Sequence, residues 1–345
     1  MTKVNHERRQ GTATIGEQIR ERLNGVLVPG VNRSLNSLNL TQNITVFEGR
    51  ASINIASAAL NEGARNWITK KVKETCADLN QLESVAVNFT DARPSELNEV
   101  AHAIAVMSGK GGVGKSLMAS LIGLTLARQG QEVGILDADI TGPSIPRIFG
   151  IGARPGGSDT GILPVLSRTG IEIMSINLLL PNEDDAVIWR GPLIGRAITQ
   201  FWEEVLWGKL DYLIVDLPPG TADASLTVMQ TLPINGVIIV FTPQDLVEMI
   251  VGKAVNMARQ MAKPILGVVE NMSYIDLPDS GQRLELFGSS KGEEMARKVG
   301  APLLARFPVV PELAMLCDKG EIERYDSEML NSFADNLRQA MSGKK

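Results

Sequence analysis

A glycine-rich stretch that ends in a lysine and a serine is the part of this sequence best suited to chemistry. It follows four small apolar residues and consists of Gly109, Lys110, Gly111, Gly112, Val113, Gly114, Lys115 and Ser116. The spacing, one glycine, four residues and then Gly-Lys-Ser, is typical of a phosphate-binding loop between a strand and a helix. Glycines allow successive backbone N–H groups to point at phosphate oxygens, and the helix adds its positive end. We therefore expect this chain to bind a nucleotide.

Two strand-like segments end in aspartates that could complete the site. One apolar run leads into Asp137 and Asp139, and another leads into Asp216. In phosphate-loop enzymes such an aspartate supports Mg²⁺, the loop lysine neutralises the outer phosphates and the loop hydroxyl binds the metal. Lys115 and Ser116 would take the last two roles. A single aspartate at a strand end is more often a turn or cap residue, but two such ends beside a phosphate loop favour a hydrolytic site.

The overall composition argues against several classes of function. The chain has 345 residues, of which 44% are hydrophobic and 21% charged, and its net charge of −5 gives no global signal for nucleic-acid binding. The two cysteines, Cys76 and Cys317, form no Cys-x-x-Cys pattern and indicate a reducing compartment. The polar N-terminus and the short apolar runs indicate neither a secretion signal nor a spanning helix. We expect a cytoplasmic protein without nucleic-acid partners and without stable membrane insertion.

The first part of the chain has the pattern of a small α/β domain. Residues 1–15 are polar and are interpreted as a flexible leader, and the domain covers 16–90. The pattern predicts a helix, a hairpin of two strands, a second helix and a third strand, over 15–27, 44–47, 51–55, 61–79 and 84–89. A polar stretch that contains Pro94 predicts a linker over 91–100.

From residue 101 to residue 345, apolar strands alternate with helices. This alternation predicts an α/β fold, a mostly parallel sheet flanked by helices. The expected strands cover 104–107, 133–136, 171–176, 212–215, 237–241, 265–269 and 303–307. The expected helices cover 117–128, 193–206, 224–230 and 246–261. Ligands of such sheets bind beyond the carboxyl ends of the strands, which is where the loop and the aspartates lie.

Several motifs resemble those of one protein family. Besides the loop with its additional Lys110, they are the segments 137–146, 189–192, 216–221 and 270–274. Together they resemble the Mrp branch of the MinD/ParA/Mrp class of deviant phosphate-loop ATPases, whose members carry iron–sulfur clusters. The first domain is similar to the small α/β domain of iron–sulfur assembly factors that precedes the ATPase in many bacterial Mrp proteins. The resemblance implies ATP and Mg²⁺ as ligands, a homodimer, and iron–sulfur assembly or client proteins as partners.

The resemblance also implies roles for individual residues. Lys110 would reach across a homodimer interface to the partner's ATP, and Asp139 would position the hydrolytic water. Asn271 would read the adenine edge, and Pro308 would lie against the base. Lys115 and the loop amides would hold the phosphates. The residues that would support Mg²⁺ are Ser116, Asp137 and Asp216.

The sequence departs from this family where a cluster would be held. Cluster-carrying members have a Cys-x-x-Cys pair just after the segment 270–274, and here Leu277 and Ser280 occupy those positions. Leucine has no ligand atom and serine is a hard substitute for a thiolate, so an iron–sulfur cluster held there in the usual way is not expected. Cys76 is expected to be a small core residue and Cys317 a weak ligand candidate. The chain would then be a member of the Mrp branch that binds little or no iron–sulfur cluster, or one with a regulatory role.

Two other functions share parts of this pattern. A MinD/ParA-like dimerising switch for positioning on a membrane or DNA would need a basic amphipathic tail. The amphipathic segment 328–341 has a nearly neutral polar face, so we expect it to dock onto the body of the protein. A small-molecule kinase would need a substrate pocket and a lid, and the sequence contains no identifiable segment for either. Lys110 favours hydrolysis coupled to dimerisation over transfer to a metabolite.

Overall fold

The structure, a computed structural model, describes residues 13–79, 81–140, 142–179, 191–220, 223–244, 247–277 and 281–342. For the helical residues 191–196, 223 and 247–250 it describes the backbone only. Most of the predicted leader, the motif residues 189, 190 and 221, and Ser280 lie outside the described residues.

The N-terminal unit consists of a three-stranded sheet that packs against two helices. Its elements are α1 (Ile15–Arg22), β1 (Thr41–Phe47), β2 (Arg50–Ala56), α2 (Glu62–Cys76) and β3 (Ser84–Thr90). The strands β1 and β2 form an antiparallel hairpin, and β3 lies parallel to β2. Thr14 and Glu17 form a capping box at the start of α1, and Asn61 caps α2. The order of elements is the one predicted from the sequence.

The helix α1 and the predicted linker differ in detail from the sequence predictions. The predicted helix over 15–27 ends at Arg22 and continues only as the single 3₁₀ turn Leu23–Gly25, since asparagine and glycine are weak helix formers. The stretch 91–100 contains α3 (Pro94–Leu97) and the start of β4 (Glu99–Ser108). The first residues of β4 are largely exposed, and for that reason they carry no apolar signal in the sequence. The division into two domains stays a prediction.

An eight-stranded sheet forms the centre of the remaining chain. The further strands are β5 (Val133–Asp137), β6 (Gly156–Ser158), β7 (Gly161–Leu163), β8 (Val165–Leu166), β9 (Glu172–Ser175), β10 (Lys209–Asp216), β11 (Gly236–Phe241), β12 (Ile265–Glu270), β13 (Ile275–Asp276), β14 (Arg283–Leu284) and β15 (Leu303–Arg306). The large sheet has the order β15-β12-β11-β4-β10-β5-β9-β8, and its neighbours are parallel except for β8 and β9. The strands β6 and β7, and likewise β13 and β14, form separate hairpins.

Helices cover both faces of this sheet and enclose two apolar cores. They are α4 (Lys115–Arg128), α5 (Ile145–Phe149), α6 (Gly191–Glu203), α7 (Asp223–Thr231), α8 (Val247–Gln260), α9 (Gly292–Val299), α10 (Pro311–Asp318) and α11 (Glu328–Ser342). The helix α11 docks as expected, with Leu330, Phe333 and Leu337 buried. No helix among the described residues is long and apolar enough to cross a bilayer. The mostly parallel sheet with flanking helices confirms the predicted fold class.

A buried ion pair joins the N-terminal unit to the large sheet. Arg33 is 7% exposed, and its guanidinium lies 2.7 Å from a carboxylate oxygen of Glu172, the first residue of β9. Burial raises the pKa of Glu172 to about 7, and the charge of Arg33 offsets part of that rise. The guanidinium also donates to the carbonyl oxygens of Ser37, Trp207 and Lys209.

The two parts of the chain also meet through a close backbone contact at Gly208. Its φ is +61°, and a Cβ there would lie 2.5 Å from the Cα of Leu38 and 2.7 Å from the carbonyl oxygen of Ser37. The N–H of Lys209 donates to the same Ser37 oxygen at 2.8 Å. Because no side chain fits at this position, the contact depends on glycine.

Loss of the guanidinium of Arg33 should destabilise the protein strongly. In Arg33→Met the carboxyl group of Glu172 stays buried without its cation, so we expect a loss of about 3 to 5 kcal/mol in the free energy of unfolding at about pH 9, measured by urea denaturation. The folded-state pKa of Glu172 lies above its ordinary value of 4.5, so the folded state binds more protons in this window and burial of the ionised form costs stability as pH rises. Removal of Arg33 raises this pKa further, so the loss in Arg33→Met should be largest at about pH 9 and should shrink as the pH falls to about 7, where Glu172 takes up a proton in the unchanged chain as well.

The matched control is the double variant Arg33→Met/Glu172→Met, which removes both charges. It should recover most of the lost stability, because the buried charge is gone as well. A double variant as unstable as Arg33→Met alone would show that the unpaired carboxylate is not the cause.

Candidate nucleotide-binding site

The glycine-rich loop connects the carboxyl end of β4 to the first turn of α4. Gly114 precedes α4 with a φ of 81°, and a Cβ at this position would lie 2.3 Å from Nδ2 of Asn271. A residue with a side chain does not fit there. The first N–H groups of α4 have no partners within the helix, so they and the positive end of the helix form an anion site at the loop.

Lys115 is buried among carboxylates at the start of α4. Its ammonium nitrogen lies 2.6 Å from Oδ1 of Asp216 and 3.6 Å from Oδ2 of Asp139, and its side chain is 6% exposed. The Oγ atom of Ser116 lies 3.5 Å from the same nitrogen. Asp137 is level with Asp216 because β5 and β10 are paired in parallel. The structure thus brings together five of the site residues that the sequence analysis named.

Asp137 is fully buried and accepts hydrogen bonds from the chain that follows it. The N–H groups of Ser144 and Ile145 donate to Oδ2 at 3.0 and 3.1 Å, and the N–H of Asp139 donates to Oδ1 at 3.2 Å. The hydroxyl of Ser175, at the end of β9, also donates to Oδ2 at 3.3 Å. These bonds hold the carboxyl group in one orientation beside the loop.

The buried carboxyl groups of this site hold protons more tightly than usual. Burial, together with the charge of Asp216, raises the pKa of Asp137 to about 8. Burial also raises the pKa of Asp216, while the ammonium of Lys115 opposes that rise. Burial is the main cause of both shifts, so an added positive charge would favour the ionised forms of Asp137 and Asp216.

One oxygen at this site has no partner. The Oδ2 atom of Asp216 is buried and accepts no hydrogen bond from the described residues. Mg²⁺ uses one or two carboxylates and completes its shell with phosphate oxygens and water. Asp216 and Ser116, with Asp137 beside them, therefore fit a Mg²⁺ ion that arrives with a nucleotide.

Lys110 lies on the same loop but points away from the carboxylates. Its ammonium donates to the side-chain oxygen of Gln244, which follows β11, the strand beside β4. The hydroxyl of Ser108 donates to the carbonyl oxygen of Lys110 at 2.9 Å. The role of Lys110 toward a second subunit stays a prediction.

Asn271 and Pro308 lie on two segments that meet beside the loop. The Nδ2 atom of Asn271 donates to the carbonyl oxygen of Val113 at 2.9 Å, and Asn271 is 3% exposed. Residues 273–274 exchange backbone hydrogen bonds with residues 307–309 on either side of Pro308. The structure therefore places Asn271 next to the loop and Pro308 on the segment bonded to residues 273–274, and the contacts of both residues with a base stay predictions.

Glu270 supports this region and was missed by the sequence analysis. It is fully buried at the end of β12, directly before Asn271. Its carboxylate accepts hydrogen bonds from Ser273, Ser290, Lys291 and Arg306. The same signal that identified Asp137 and Asp216, an acid at the end of an apolar parallel strand, would have identified Glu270.

The hairpin of β13 and β14 contains Leu277, one of the two positions at which the family resemblance implies a cysteine, and Ser280 lies outside the described residues. Leu277 is 37% exposed at its tip, and the guanidinium of Arg283 lies 4.3 Å from the ring centre of Tyr274, which holds the hairpin to the body. Cys76 is buried in the N-terminal core and Cys317 lies half-buried on α10. Burial raises the pKa of both thiols, so neither is a thiolate at neutral pH.

Binding of Mg²⁺ and a nucleotide should release protons near neutral pH. Asp137 has a pKa of about 8 without a nucleotide, and a metal ion favours the carboxylate over the carboxylic acid. Calorimetric titration with Mg²⁺ and ADP, in two buffers of different ionisation enthalpy, should show release of up to about one proton per site at about pH 7 and less at about pH 9. The variant Asp137→Asn is the matched control and should lose this release. Equal heats in both buffers at neutral pH would contradict the prediction.

The sequence matches a known family over most of its length. Residues 99–341 match the family model described as NUBPL iron-transfer P-loop NTPase, of the ParA group. The iron–sulfur cluster carrier protein of Clostridium perfringens is 40% identical over 264 residues, 74% of this chain and 93% of that protein. The iron–sulfur cluster carrier protein of Synechocystis is 37% identical over 307 residues, 85% of this chain and 86% of that protein. The second similarity extends into the N-terminal unit.

Solved structures show the same fold. A nucleotide-binding protein from Archaeoglobus fulgidus, in complex with ADP, is 46% identical with a TM-score of 0.61 and covers 68% of this chain and 92% of its own. The MinD cell division protein of Aquifex aeolicus is 19% identical with a TM-score of 0.50 over 70% of this chain and 98% of its own, which shows the fold alone. The resemblance drawn from the motifs is confirmed, and this chain belongs to the NUBPL iron-transfer P-loop NTPase family, in which its relatives are iron–sulfur cluster carrier proteins.

Proposed function

We propose that this chain is a Mg²⁺-dependent ATPase that works as a homodimer in iron–sulfur cluster assembly or transfer. The observation that carries the proposal is the buried Lys115, held by Asp216 and Asp139 at the first turn of α4. This arrangement holds an ammonium group beside the loop amides that would bind phosphate oxygens. The ADP complex of the Archaeoglobus fulgidus protein supports a nucleotide in this family.

Binding of the phosphates exchanges the partners of Lys115. Its ammonium lies 2.6 Å from Asp216 and would turn to the phosphate oxygens, and Asp216 and Ser116 would then hold the metal. Mg²⁺, when bound, neutralises charge on the outer phosphate oxygens. The exchange conserves the charge balance of a buried site, because one cation replaces another at Asp216.

Hydrolysis needs a group that orients water and a group that stabilises the terminal phosphate. Asp139 is 7% exposed, and its carboxylate lies within the charged group around Lys115. It accepts a hydrogen bond from a water molecule and so aims the oxygen at the terminal phosphate. Lys110 of a second subunit adds positive charge where negative charge develops in the transition state.

The missing thiol pair determines how the chain takes part in cluster chemistry. Since Leu277 and Ser280 supply no thiolate, we propose a scaffold or regulatory member whose ATP cycle controls assembly or client proteins. The alternative, a MinD-like switch on a membrane or DNA, has only fold-level similarity to support it. Its amphipathic tail is also not free among the described residues, because the apolar side of α11 is buried.

Two lysine variants separate phosphate binding from dimerisation. Lys115→Met should lower ATP turnover by at least about 100-fold, because the loop loses the charge that meets the phosphates. Lys110→Met should still bind ATP as a monomer but should form the ATP-dependent dimer only at much higher protein concentration. Phosphate release and sedimentation velocity measure the two effects. Unchanged turnover in Lys115→Met would contradict the assignment of the loop.

Reconstitution with iron and sulfide tests the role of the missing thiols. Under anaerobic conditions this chain should form no stable stoichiometric cluster, measured by visible absorption, because its two thiols are buried apart and protonated. The double variant Leu277→Cys/Ser280→Cys restores the Cys-x-x-Cys spacing and should gain a cluster. A stoichiometric cluster in the unchanged chain would show that other ligands hold it.

A further inference from the structure

Two side chains from neighbouring strand ends meet beside the phosphate loop. The strands β4 and β11 are paired up to Ser108 and Val240, and each chain turns after that point. The hydroxyl of Ser108 donates to the carbonyl oxygen of Lys110 at 2.9 Å, and the N–H of Gln244 donates to the carbonyl oxygen of Thr242 at 2.7 Å. These local bonds fix the backbone on both sides, so Lys110 and Gln244 face each other.

Gln244 is the acceptor for the charge of Lys110 in this structure. The Nζ atom of Lys110 donates to Oε1 of Gln244. In the described part of the chain Lys110 forms no ion pair, whereas Lys115 on the same loop forms two. The cavity between these residues has a volume of about 10 Å³, the lower limit for a single water molecule. Lys110 and Gln244 are therefore packed against each other.

We propose that Gln244 is a positioning residue that holds Lys110 in its own subunit until ATP-driven dimerisation withdraws it. This inference rests on the proposed function, in which Lys110 serves the nucleotide of the partner subunit. The contact within the subunit and the contact across the interface use the same ammonium, so the first must weaken before the second forms. The strength of the Lys110–Gln244 bond then sets how readily the dimer forms.

The chemistry of glutamine suits this role. A neutral amide oxygen orients the ammonium but leaves its positive charge uncompensated. A phosphate oxygen carries negative charge and makes a shorter and stronger hydrogen bond with an ammonium, so the exchange favours the nucleotide. A carboxylate at position 244 would bind Lys110 as an ion pair and would compete with the phosphate. Glutamine thus binds Lys110 weakly enough to release it to a phosphate, whereas glutamate would keep Lys110 within its own subunit.

Two substitutions at this position should act in opposite directions. Gln244→Leu keeps the bulk but removes the acceptor, so the ATP-bound protein should dimerise at about tenfold lower protein concentration in sedimentation velocity. Gln244→Glu strengthens the hold and should raise that concentration by about tenfold. The affinity of the monomer for ATP, measured at concentrations below dimerisation, should stay unchanged in both variants. A folding defect would weaken dimerisation in both variants and would not shift the dimerisation concentration in opposite directions.

The same pair of substitutions in a Lys110→Met background is the decisive control. Dimerisation in this background is weaker and is measured at higher protein concentration. Gln244→Leu and Gln244→Glu should now dimerise at the same protein concentration, because the ammonium that Gln244 binds is gone. The proposed role of Gln244 would be overturned if the Gln244→Leu variant dimerised no more readily than the unchanged chain. If Lys110→Met alone left ATP-dependent dimerisation unchanged, the proposed role of Lys110 would be overturned instead.

Discussion

The buried ammonium of Lys115 is the charge on which the nucleotide site depends. It lies among the carboxyl groups of Asp137, Asp139 and Asp216, and each of these is costly to bury in its ionised form without a partner. Backbone N–H groups support Asp137, and Lys115 supports the other two. The acids of the site therefore share one cation, which offsets part of the cost of burying them.

The parallel sheet brings these groups to one place. The strands β11, β4, β10 and β5 lie side by side, and their carboxyl ends carry Gln244, the phosphate loop, Asp216 and Asp137 in that order. The register pairs Asp216 with Asp137 directly. Since backbone hydrogen bonds fix this register along each strand, the positions of the acids relative to the loop follow from the sheet.

Local sequence patterns predicted that the loop and the aspartates lie at strand ends. They do not predict contacts between residues that are far apart in the sequence. The loop is continuous, and Asp137 and Asp216 each end an apolar strand. The bonds of Gln244 to Lys110 and of Arg33 to Glu172 span 134 and 139 residues, so no periodicity marks either of them. The hairpin of β6 and β7 was not predicted because strands of three residues are too short to show alternation.

The short strand β9 connects the N-terminal unit to the acids beside the glycine-rich loop. Its first residue, Glu172, is paired with Arg33, and its last residue, Ser175, donates to the carboxyl group of Asp137. A strand rises by about 3.3 Å per residue, so the two contacts lie only about 10 Å apart on one rigid element. A displacement of β9 by the N-terminal unit would move Ser175 and alter the hydrogen bonding of Asp137. The contact of that unit with the large sheet and the hydrogen bonding of Asp137 therefore depend on the same four-residue strand.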